Sequence, residues 1–351
     1  MRKNYKNFLV TGGMGFIGSN FIKFMLKQDE VASIVNIDNL SEGSCEDNLA
    51  EERGNEKLYF YNKSIKDDAV ATILEDHNID CLVHFAAESH VDRSILNPNS
   101  FVETNVNGTL NLLNHSLSYA KNKKHFHFHH VSTDEVYGSL SVEEPAFTEE
   151  NQYMPNSPYS ASKAGSDHLV RAWHHTFGLN TTTSNCSNNY GPNQFPEKLI
   201  PVIIKSALQG KLIPIYGSGE NIRDWLYVDD HCEAIYKIIH EGKFGETYNV
   251  GGKNEITNIE IVKTICELLD EMCPVIEPSP YNGIKLDISS YSDLIEYVED
   301  RLGHDFRYSI NPKKIEEEIK WFPKESFTSG INKTIAWYLA NLNWLKNLDV
   351  K

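Results

Sequence analysis

The sequence predicts an α/β fold, in which helices cover both faces of a doubly wound parallel sheet, followed by a smaller C-terminal lobe. Short apolar runs alternate with longer helical patterns through the first half of the 351 residues. Strands that alternate with helices indicate βαβ units. After about Asn188 the rhythm changes, because Pro, Gly and Asn become frequent and the loops lengthen.

The individual elements can be assigned in order along the chain. "NFLVTG" predicts the first strand, about 15–27 the first helix, and "SIVNID" the second strand. "KLYFYN", "DCLVHFAA" and "FHFHHVS" continue the series, and "VETNVNGTLNLLNHSLSYAK" predicts a helix before the last of them. The C-terminal "GINKTIAWYLANLNWLKNL" has apolar residues at helical spacing, which predicts a core helix rather than a binding device.

Bulk composition excludes several classes of protein. The formal net charge of −16 disfavours a nucleic-acid-binding protein, which needs a basic field. No apolar run approaches the roughly 20 residues of a membrane span, and the one after the basic start is too short for a signal peptide. The six cysteines show no Cys-x-x-Cys spacing and predict reduced thiols, so we expect a cytoplasmic protein without a membrane partner.

A glycine-rich turn, "VTGGMGFIGS", connects the first strand to the first helix. Its glycines fit Gly13-x-Gly15-x-x-Gly18 or Gly12-x-x-Gly15-x-x-Gly18, and both registers allow a pyrophosphate to approach the backbone at a helix N-terminus. Asp38 ends the second strand, where an acid binds the adenosine ribose and repels a 2′-phosphate. The turn therefore predicts a Rossmann-like site for NAD rather than NADP.

A tyrosine and a lysine lie four residues apart in "NSPYSASKAGSDHLVRAW". Tyr159 and Lys163 fall on one helix face, and an ammonium near a phenol is expected to lower the phenol pKa toward useful base strength. Ser157 and Pro158 are typical of an N-cap and a first helical position, which predicts Tyr159 in an exposed first turn.

A hydroxyl and two acids follow the strand "FHFHHVS": Thr133, Asp134 and Glu135. The carboxyl end of a strand is where doubly wound sheets bind ligands. Two adjacent carboxylates separate their pKa values, so one can act as an acid and the other as a base. A solvated strand end is the alternative, and Tyr159 with the glycine turn favours catalysis.

These motifs together resemble the extended short-chain dehydrogenase/reductase family, through the glycine turn, "HFAAES" and the Tyr159–Lys163 pair. "AAESHVDRSI", "VSTDEVYG", "NCSNNYGPNQFPEKLIP", "IRDWLYVDDH" and "GHDFRY" narrow the resemblance to its nucleotide-sugar 4,6-dehydratases. The resemblance implies NAD as cofactor, dTDP-glucose as substrate, and a homodimer formed through helices near 99–120 and 157–177. It also implies an NAD-binding lobe at 1–187 with returning segments at about 225–250, and a nucleotide-sugar-binding lobe at 188–224 and 251–341.

The resemblance also assigns individual site residues. The residues that it implies for the cofactor are Gly12, Gly15, Phe16, Ile17, Gly18, Asp38, Asn39, Ser41, Ser64, Ile65, Phe85, Ala86, Ala87, Thr104, Tyr159, Lys163 and Asn189. Those implied for the substrate are Ser89, Thr133, Asn188, Glu197, Lys198, Leu199, Pro214, Tyr216, Arg223, Asn258, Arg301, His304 and Tyr308. Met14, Ser64 and Leu302 depart from the family pattern, Ser64 standing where an aspartate normally contacts adenine.

The implied reaction gives each catalytic residue a role. Tyr159 takes the proton of the C4 hydroxyl, which Thr133 orients, while hydride passes to NAD. Glu135 then removes the C5 proton and Asp134 protonates the departing C6 oxygen, before hydride returns to C6. The product is a 4-keto-6-deoxy sugar, as in dTDP-rhamnose biosynthesis.

Three other readings stay open. A nucleotide-sugar 4-epimerase shares the cofactor site and Tyr159 but has no use for two acids. A related dehydratase could act on a UDP or GDP sugar, and a non-catalytic cofactor sensor could share the fold. For the alternating His125, His127 and His129 we predict packing beneath a helix rather than metal binding. For "YVDDH" we predict a helix start whose acids act as caps.

Overall fold

The predicted fold class is confirmed by a computed structural model, which describes residues 3–300 and 305–348. Within those ranges the chain forms twelve strands and twelve α-helices. The strands are β1 (Asn7–Thr11), β2 (Ser33–Asp38), β3 (Leu58–Asn62), β4 (Cys81–His84), β5 (His127–Thr133), β6 (Thr181–Cys186), β7 (Asn188–Tyr190), β8 (Ile213–Tyr216), β9 (Ile222–Tyr227), β10 (Thr247–Val250), β11 (Glu255–Thr257) and β12 (Ile295–Val298).

The helices alternate with these strands through the first half of the chain. They are α1 (Phe16–Leu26), α2 (Ala69–Asp76), α3 (Val91–Leu96), α4 (Pro98–Phe101), α5 (Thr109–Ala120), α6 (Pro158–Phe177), α7 (Leu199–Gln209), α8 (Val228–Glu241), α9 (Asn258–Met272), α10 (Lys313–Ile319), α11 (Phe327–Ala340) and α12 (Leu342–Asn347). A π-helical turn, Val102–Gly108, precedes α5, and 3-10 turns span Glu46–Glu52, Asp134–Tyr137 and Tyr291–Leu294.

The main sheet has the order β10-β6-β5-β4-β1-β2-β3, and its paired strands are all parallel. The chain moves outward in one direction from β1 to β3 and in the other from β4. This reversal between β1 and β4 creates a crevice at the carboxyl ends of the strands, where such sheets bind ligands.

The central strands of the sheet are covered on both faces, which explains why β1 and β4 are buried and mainly apolar. Phe8 and Val10 of β1 contribute to a core with α1 and α8 on one face. Leu9 of the same strand points the other way, into a core with α2, α5 and α6. Alternate residues of β1 therefore pack against the helices on opposite faces of the sheet, and this packing holds the strand and the turn that follows it in place.

The later part of the chain forms two smaller sheets, β11-β9-β7 and β12-β8, around a core of their own. The predicted C-terminal core helix is present, since Ile331, Ile335 and Tyr338 are buried, but it breaks at Asn341 into α11 and α12. β10 returns to the main sheet. The predicted lobe boundaries stay a prediction. No helix in the described residues is long and apolar enough to cross a membrane.

The histidines of β5 serve packing in this structure. His127 and His129 are buried and each hydrogen-bonds Thr182 of the neighbouring β6, at 2.9 and 2.8 Å. His125 lies before the strand begins, so only His127 and His129 of the three alternating histidines belong to β5. Within residues 3–300 and 305–348, no group of three or more His, Cys, Asp or Glu side chains is arranged to hold a metal ion.

Candidate active site

A cavity of about 330 Å³ lies along the carboxyl ends of the strands β1, β2, β4, β5 and β6. Every residue predicted for the cofactor lines it, from Gly12 to Asn189, and so do the five predicted catalytic residues. One continuous cavity therefore joins the glycine turn to the acid pair. The roles of these residues stay predictions, but the structure brings them together.

The glycine turn is closely packed against the segment that follows the neighbouring strand β4. Gly12 has φ +76°, and a Cβ there would lie 2.7 Å from the Ala86 amide nitrogen. A Cβ on Gly18 would lie 2.3 Å from the Gly12 carbonyl oxygen, so only glycine lets the helix start this close to the turn. Gly15, the N-cap of α1, offers no side chain to the first-turn amides, which leaves them available to an anion.

Asp38 is fixed beside this turn by backbone donors. Its carboxylate accepts hydrogen bonds from the amides of Met14 and Leu40, at 2.9 and 2.8 Å. Burial raises the pKa of Asp38, which these two hydrogen bonds oppose. Each carboxylate oxygen can accept a further hydrogen bond, and Asp38 lines the cavity, so a ribose hydroxyl is a suitable partner. Met14, which departs from the family pattern, contributes through its backbone here.

The start of α6 confirms the predicted cap but places Tyr159 differently. The Ser157 side chain accepts a hydrogen bond from the Ser160 amide, and Pro158 is the first helical residue. The prediction of an exposed Tyr159 is wrong, because the residue is buried, with only 8% of its surface accessible. Its ring packs edge-on against Phe101 of α4, with centroids 6.3 Å apart. The first turn of α6 therefore packs against α4 rather than lying in solvent, and Tyr159 also lines the cavity.

The expected lowering of the Tyr159 pKa is also wrong in this structure. Burial and the negative charge of Glu135 raise the pKa of the phenol well above its usual value, and the Thr133 hydroxyl acts in the opposite direction. The Lys163 ammonium donates to the Val131 carbonyl at 2.9 Å, and within the described part of the chain the structure shows no hydrogen bond from it to the Tyr159 phenol. Burial lowers the pKa of Lys163, and Asp167 in the next turn of α6 opposes that shift. Tyr159 is therefore a neutral phenol here.

The acid pair follows directly from the last residue of β5. The Thr133 hydroxyl lies 3.3 Å from the Glu135 amide, which donates to it, and 3.4 Å from Asp134 Oδ1. Asp134 is 2% accessible, and its Oδ2 has no hydrogen-bond partner in the described residues. Burial first, and then the charge of Glu135, raise the pKa of Asp134 well above its usual value. Burial beside the half-buried Glu135 therefore favours the protonated form of Asp134.

The residues predicted for the substrate divide into two groups. Ser89, Thr133, Asn188, Glu197 and Lys198 line the cavity. The others in the described part of the chain do not line it: Leu199, Pro214, Tyr216, Arg223, Asn258 and Tyr308. Arg301 and His304 lie outside the described residues.

Arg223 and Tyr308 nevertheless lie close to the acid pair. The Arg223 guanidinium is over the Tyr308 ring, 4.4 Å from its centroid, and donates to the Asp305 carbonyl at 2.8 Å. The charge of Arg223 acts on the pKa of Asp134, and the charge of Glu135 on that of Tyr308. Pro214 and Tyr216 lie farther along, on β8 beside β12.

Several cavity residues were not predicted from the sequence. They are Ile37, Glu42, Gly43, Ser44, Lys63, Lys66, Val131, Ser132, Cys186, Ser187, Gln194 and Phe195. Cys186 could have been found, because it ends β6 at the same sheet edge as Thr133. Glu42 could not, because its place depends on Arg93, whose guanidinium bridges Glu42 and Glu197 at 2.6 and 3.0 Å.

The parallel sheet, the glycine turn and the Tyr159–Lys163 pair on one cavity define a member of the extended short-chain dehydrogenases/reductases. A family model described as GDP-mannose 4,6 dehydratase matches residues 9–334. The chain belongs to the family that this model describes.

Curated relatives give a consistent set of names. A protein named dTDP-glucose 4,6-dehydratase from Shigella flexneri is 50% identical over 97% of this chain and 94% of its own. One of the same name from Neisseria meningitidis serogroup B is 48% identical over 98% and 96%.

Solved structures show the same likeness and the range of the fold. A dTDP-glucose 4,6-dehydratase from Streptomyces venezuelae, solved with NAD bound, superposes with a TM-score of 0.87 at 40% identity, over 97% of this chain and 99% of that one. A UDP-glucose 4-epimerase from Thermotoga maritima, solved with UDP-glucose, gives 0.80 at 28% identity, over 96% and 99%. The fold alone does not separate the two reactions.

Proposed function

We propose that this protein dehydrates dTDP-glucose to dTDP-4-keto-6-deoxyglucose with NAD as its cofactor. The observation that carries the proposal is the buried Asp134, beside Glu135 in the same cavity as Tyr159. Its pKa is raised, and its Oδ2 has no partner among residues 3–300 and 305–348. An elimination needs a proton donor for the departing hydroxyl and a base for the neighbouring carbon. A 4-epimerase eliminates nothing and has no use for this pair.

The glycine turn and Asp38 fit the dinucleotide. The packed turn leaves backbone where a Cβ on Gly12 or Gly18 would collide, and the open end of α1 supplies donors to a pyrophosphate. Asp38 supplies the acceptor for the adenosine ribose. When bound, NAD accepts a hydride from C4 of the sugar, later returns it to C6, and brings a positive charge on its nicotinamide ring.

Oxidation at C4 requires the Tyr159 phenol to receive the proton of the C4 hydroxyl. The Thr133 hydroxyl acts on the pKa of Tyr159 in favour of the ionised phenol, and its role in this proposal is to bond and orient the same substrate hydroxyl. A positive charge entering the cavity acts in the same direction as Thr133 and makes the phenolate accessible. Lys163 lies one turn along α6, and the charge of Asp167 favours its ammonium form against the effect of burial.

Elimination uses the two carboxyl groups in different protonation states. Once C4 is a ketone, the C5 proton becomes acidic and the C6 hydroxyl becomes a β-leaving group. Glu135 removes the C5 proton. Asp134, whose protonated form is favoured by burial beside that charge, donates to the C6 oxygen, which leaves as water. Glu135 then returns a proton to C5 as C6 is reduced.

A panel of nucleotide sugars tests this proposal directly. The protein, loaded with NAD, is incubated with dTDP-, UDP- and GDP-glucose and with GDP-mannose, and the products are analysed by mass spectrometry. We expect loss of one water from dTDP-glucose and much slower reaction of the others. An unchanged mass with inverted C4 would identify an epimerase, and preference for another nucleotide would identify a related dehydratase.

The position of Asp38 predicts the choice of cofactor. Its buried carboxylate should repel a 2′-phosphate, so the wild-type protein should bind NAD far more tightly than NADP. Asp38→Ala should narrow that difference, because it removes the repulsion and the ribose acceptor together. Calorimetry on cofactor-free protein measures both affinities. Equal wild-type affinities would remove Asp38 from the proposed site.

We also propose that the protein is a homodimer through α5 and α6. Leu96, Val102 and Phe177, on or beside these helices, are large apolar residues that remain exposed in the single chain. Burial of these side chains by the same helices of a partner would remove apolar surface from water, which supports the proposed dimer. Light scattering should give twice the mass of one chain.

A cytoplasmic location stays a prediction, supported by six cysteines that are all free thiols.

A further inference from the structure

A buried histidine contacts the cavity through one of its lining residues. His231 lies in the first turns of α8, is 0% accessible, and has its Nδ1 2.8 Å from Asn189 Oδ1 on β7. It ends "YVDDH", which the sequence predicts as a helix start with capping acids. α8 does begin at Val228, but Asp230 accepts from the amides of Lys324 and Glu325 rather than capping its own helix.

The contacts of Asn189 determine which way its amide points. Its Nδ2 donates to the Ser187 carbonyl at 2.9 Å. If the amide were reversed, Oδ1 would face that carbonyl oxygen, and two acceptors would oppose each other. Oδ1 must therefore face His231. Because Oδ1 can only accept, His231 must carry its proton on Nδ1 and donate it.

The histidine is suited to this single task. Burial lowers the pKa of His231 to about 3, so the ring is neutral. Its Nε2 is buried without a hydrogen-bond partner in the described residues, and a proton placed there would leave a buried donor unpaired. A further contact holds the backbone, since Gln194 Nε2 donates to the Asn189 carbonyl at 2.9 Å.

With Oδ1 and one amide hydrogen committed, the second Nδ2 hydrogen of Asn189 remains on the side of the cavity, where the amide also lowers the pKa of the Cys186 thiol against the effect of burial, and both residues line the cavity. We propose that His231 is a positioning residue, which holds the Asn189 side chain so that this hydrogen is donated to bound NAD. The inference rests on the proposed function for the identity of the ligand. An asparagine free to rotate would present an oxygen half of the time and oppose an acceptor on the cofactor.

Substitutions that mimic one ring nitrogen or the other test the assignment. The amide nitrogen of asparagine lies near the position of histidine Nδ1, and that of glutamine near Nε2. His231→Asn should therefore keep the donor to Asn189, whereas His231→Gln and His231→Ala should lose it. Calorimetry of NAD binding to cofactor-free protein should show about tenfold weaker binding for the last two, the ratio expected for one hydrogen bond, and about wild-type affinity for His231→Asn.

A double substitution separates positioning from general damage. Asn189→Ala should weaken NAD binding to a similar extent, and His231→Ala combined with it should add nothing further. His240→Ala is the matched control, because it removes another buried histidine of α8 that bonds the Tyr236 carbonyl of the same helix. That control should lower the melting temperature and leave NAD affinity unchanged.

Two results would overturn the inference: weak NAD binding by His231→Asn equal to that of His231→Ala, or additive losses in the double variant. If Asn189 instead contacts the sugar nucleotide, the His231 variants will bind NAD with unchanged affinity. Their affinity for dTDP, measured on NAD-loaded protein, will then fall, and that result also contradicts the inference. Failure of the proposed function can be distinguished from failure of this inference. A wild-type protein that binds NAD but leaves dTDP-glucose unchanged would contradict the proposed function, and NAD binding could still be compared among the His231 variants.

Discussion

Tyr159→Phe should leave the protein folded and almost unable to oxidise dTDP-glucose. The substitution keeps the ring that packs against Phe101 and removes only the hydroxyl. Without it, the C4 proton has no acceptor beside Thr133, and the loss should be at least the 10²–10⁴-fold that general base catalysis contributes, on the order of 3–5 kcal/mol. Rapid-mixing absorbance of NADH, with enzyme in excess of substrate, measures this step alone.

Tyr190→Phe is the matched control for this variant. It removes a buried tyrosine hydroxyl that donates to the Phe327 carbonyl at 3.4 Å and does not line the cavity. NADH formation should be unchanged in the control. If Tyr159→Phe forms NADH at the wild-type rate, another group accepts the C4 proton and the role given to Tyr159 is wrong.

Asp134→Asn should spare oxidation and slow the loss of water by about 10²–10⁴-fold, because it replaces a proton donor with an amide of the same shape. NADH should therefore accumulate in this variant, whereas in Tyr159→Phe it should not form. Glu135→Gln should behave in the same way, since it removes the base for C5. Equal loss of NADH formation in all three variants would contradict the division of labour.

The raised pKa of Asp134 gives this step a pH dependence with a definite sign. Below the raised value the group is protonated and can donate to the C6 oxygen; as the pH rises through it, the donor is lost. The rate of elimination in the wild-type protein should therefore fall on the alkaline side. Asp134→Asn, which has no proton to lose there, should lack that limb of the profile.

Local patterns were sufficient to predict much of this site. The turn from β1 to α1 follows a glycine pattern in consecutive residues, and the close approach of Gly18 to the Gly12 carbonyl is a local contact. The cap of α6 is likewise local, and Ser157 with Pro158 correctly predicts where the helix begins. Such features could be predicted because each depends on a few consecutive residues.

Features that depend on tertiary packing could not be predicted in the same way. Tyr159 is buried because α4 brings Phe101 against it, and Lys163 bonds to a carbonyl of β5 rather than to the phenol. Spacing on one helix shows neither contact. The link from His231 to Asn189 joins residues 42 positions apart and depends on how α8 packs against β7.

Transfer of deuterium within one substrate molecule tests the proposed reaction most directly. dTDP-glucose carrying deuterium at C4 is mixed with unlabelled dTDP-glucose that carries carbon-13 throughout the sugar, and the product is analysed by mass spectrometry and NMR. We expect deuterium at C6 only in the carbon-12 product, and solvent hydrogen at C5, because the Glu135 carboxyl exchanges with water. Deuterium in the carbon-13 product would show that the hydride leaves one active site for another molecule, and absence of deuterium from C6 would contradict the dehydratase reaction itself.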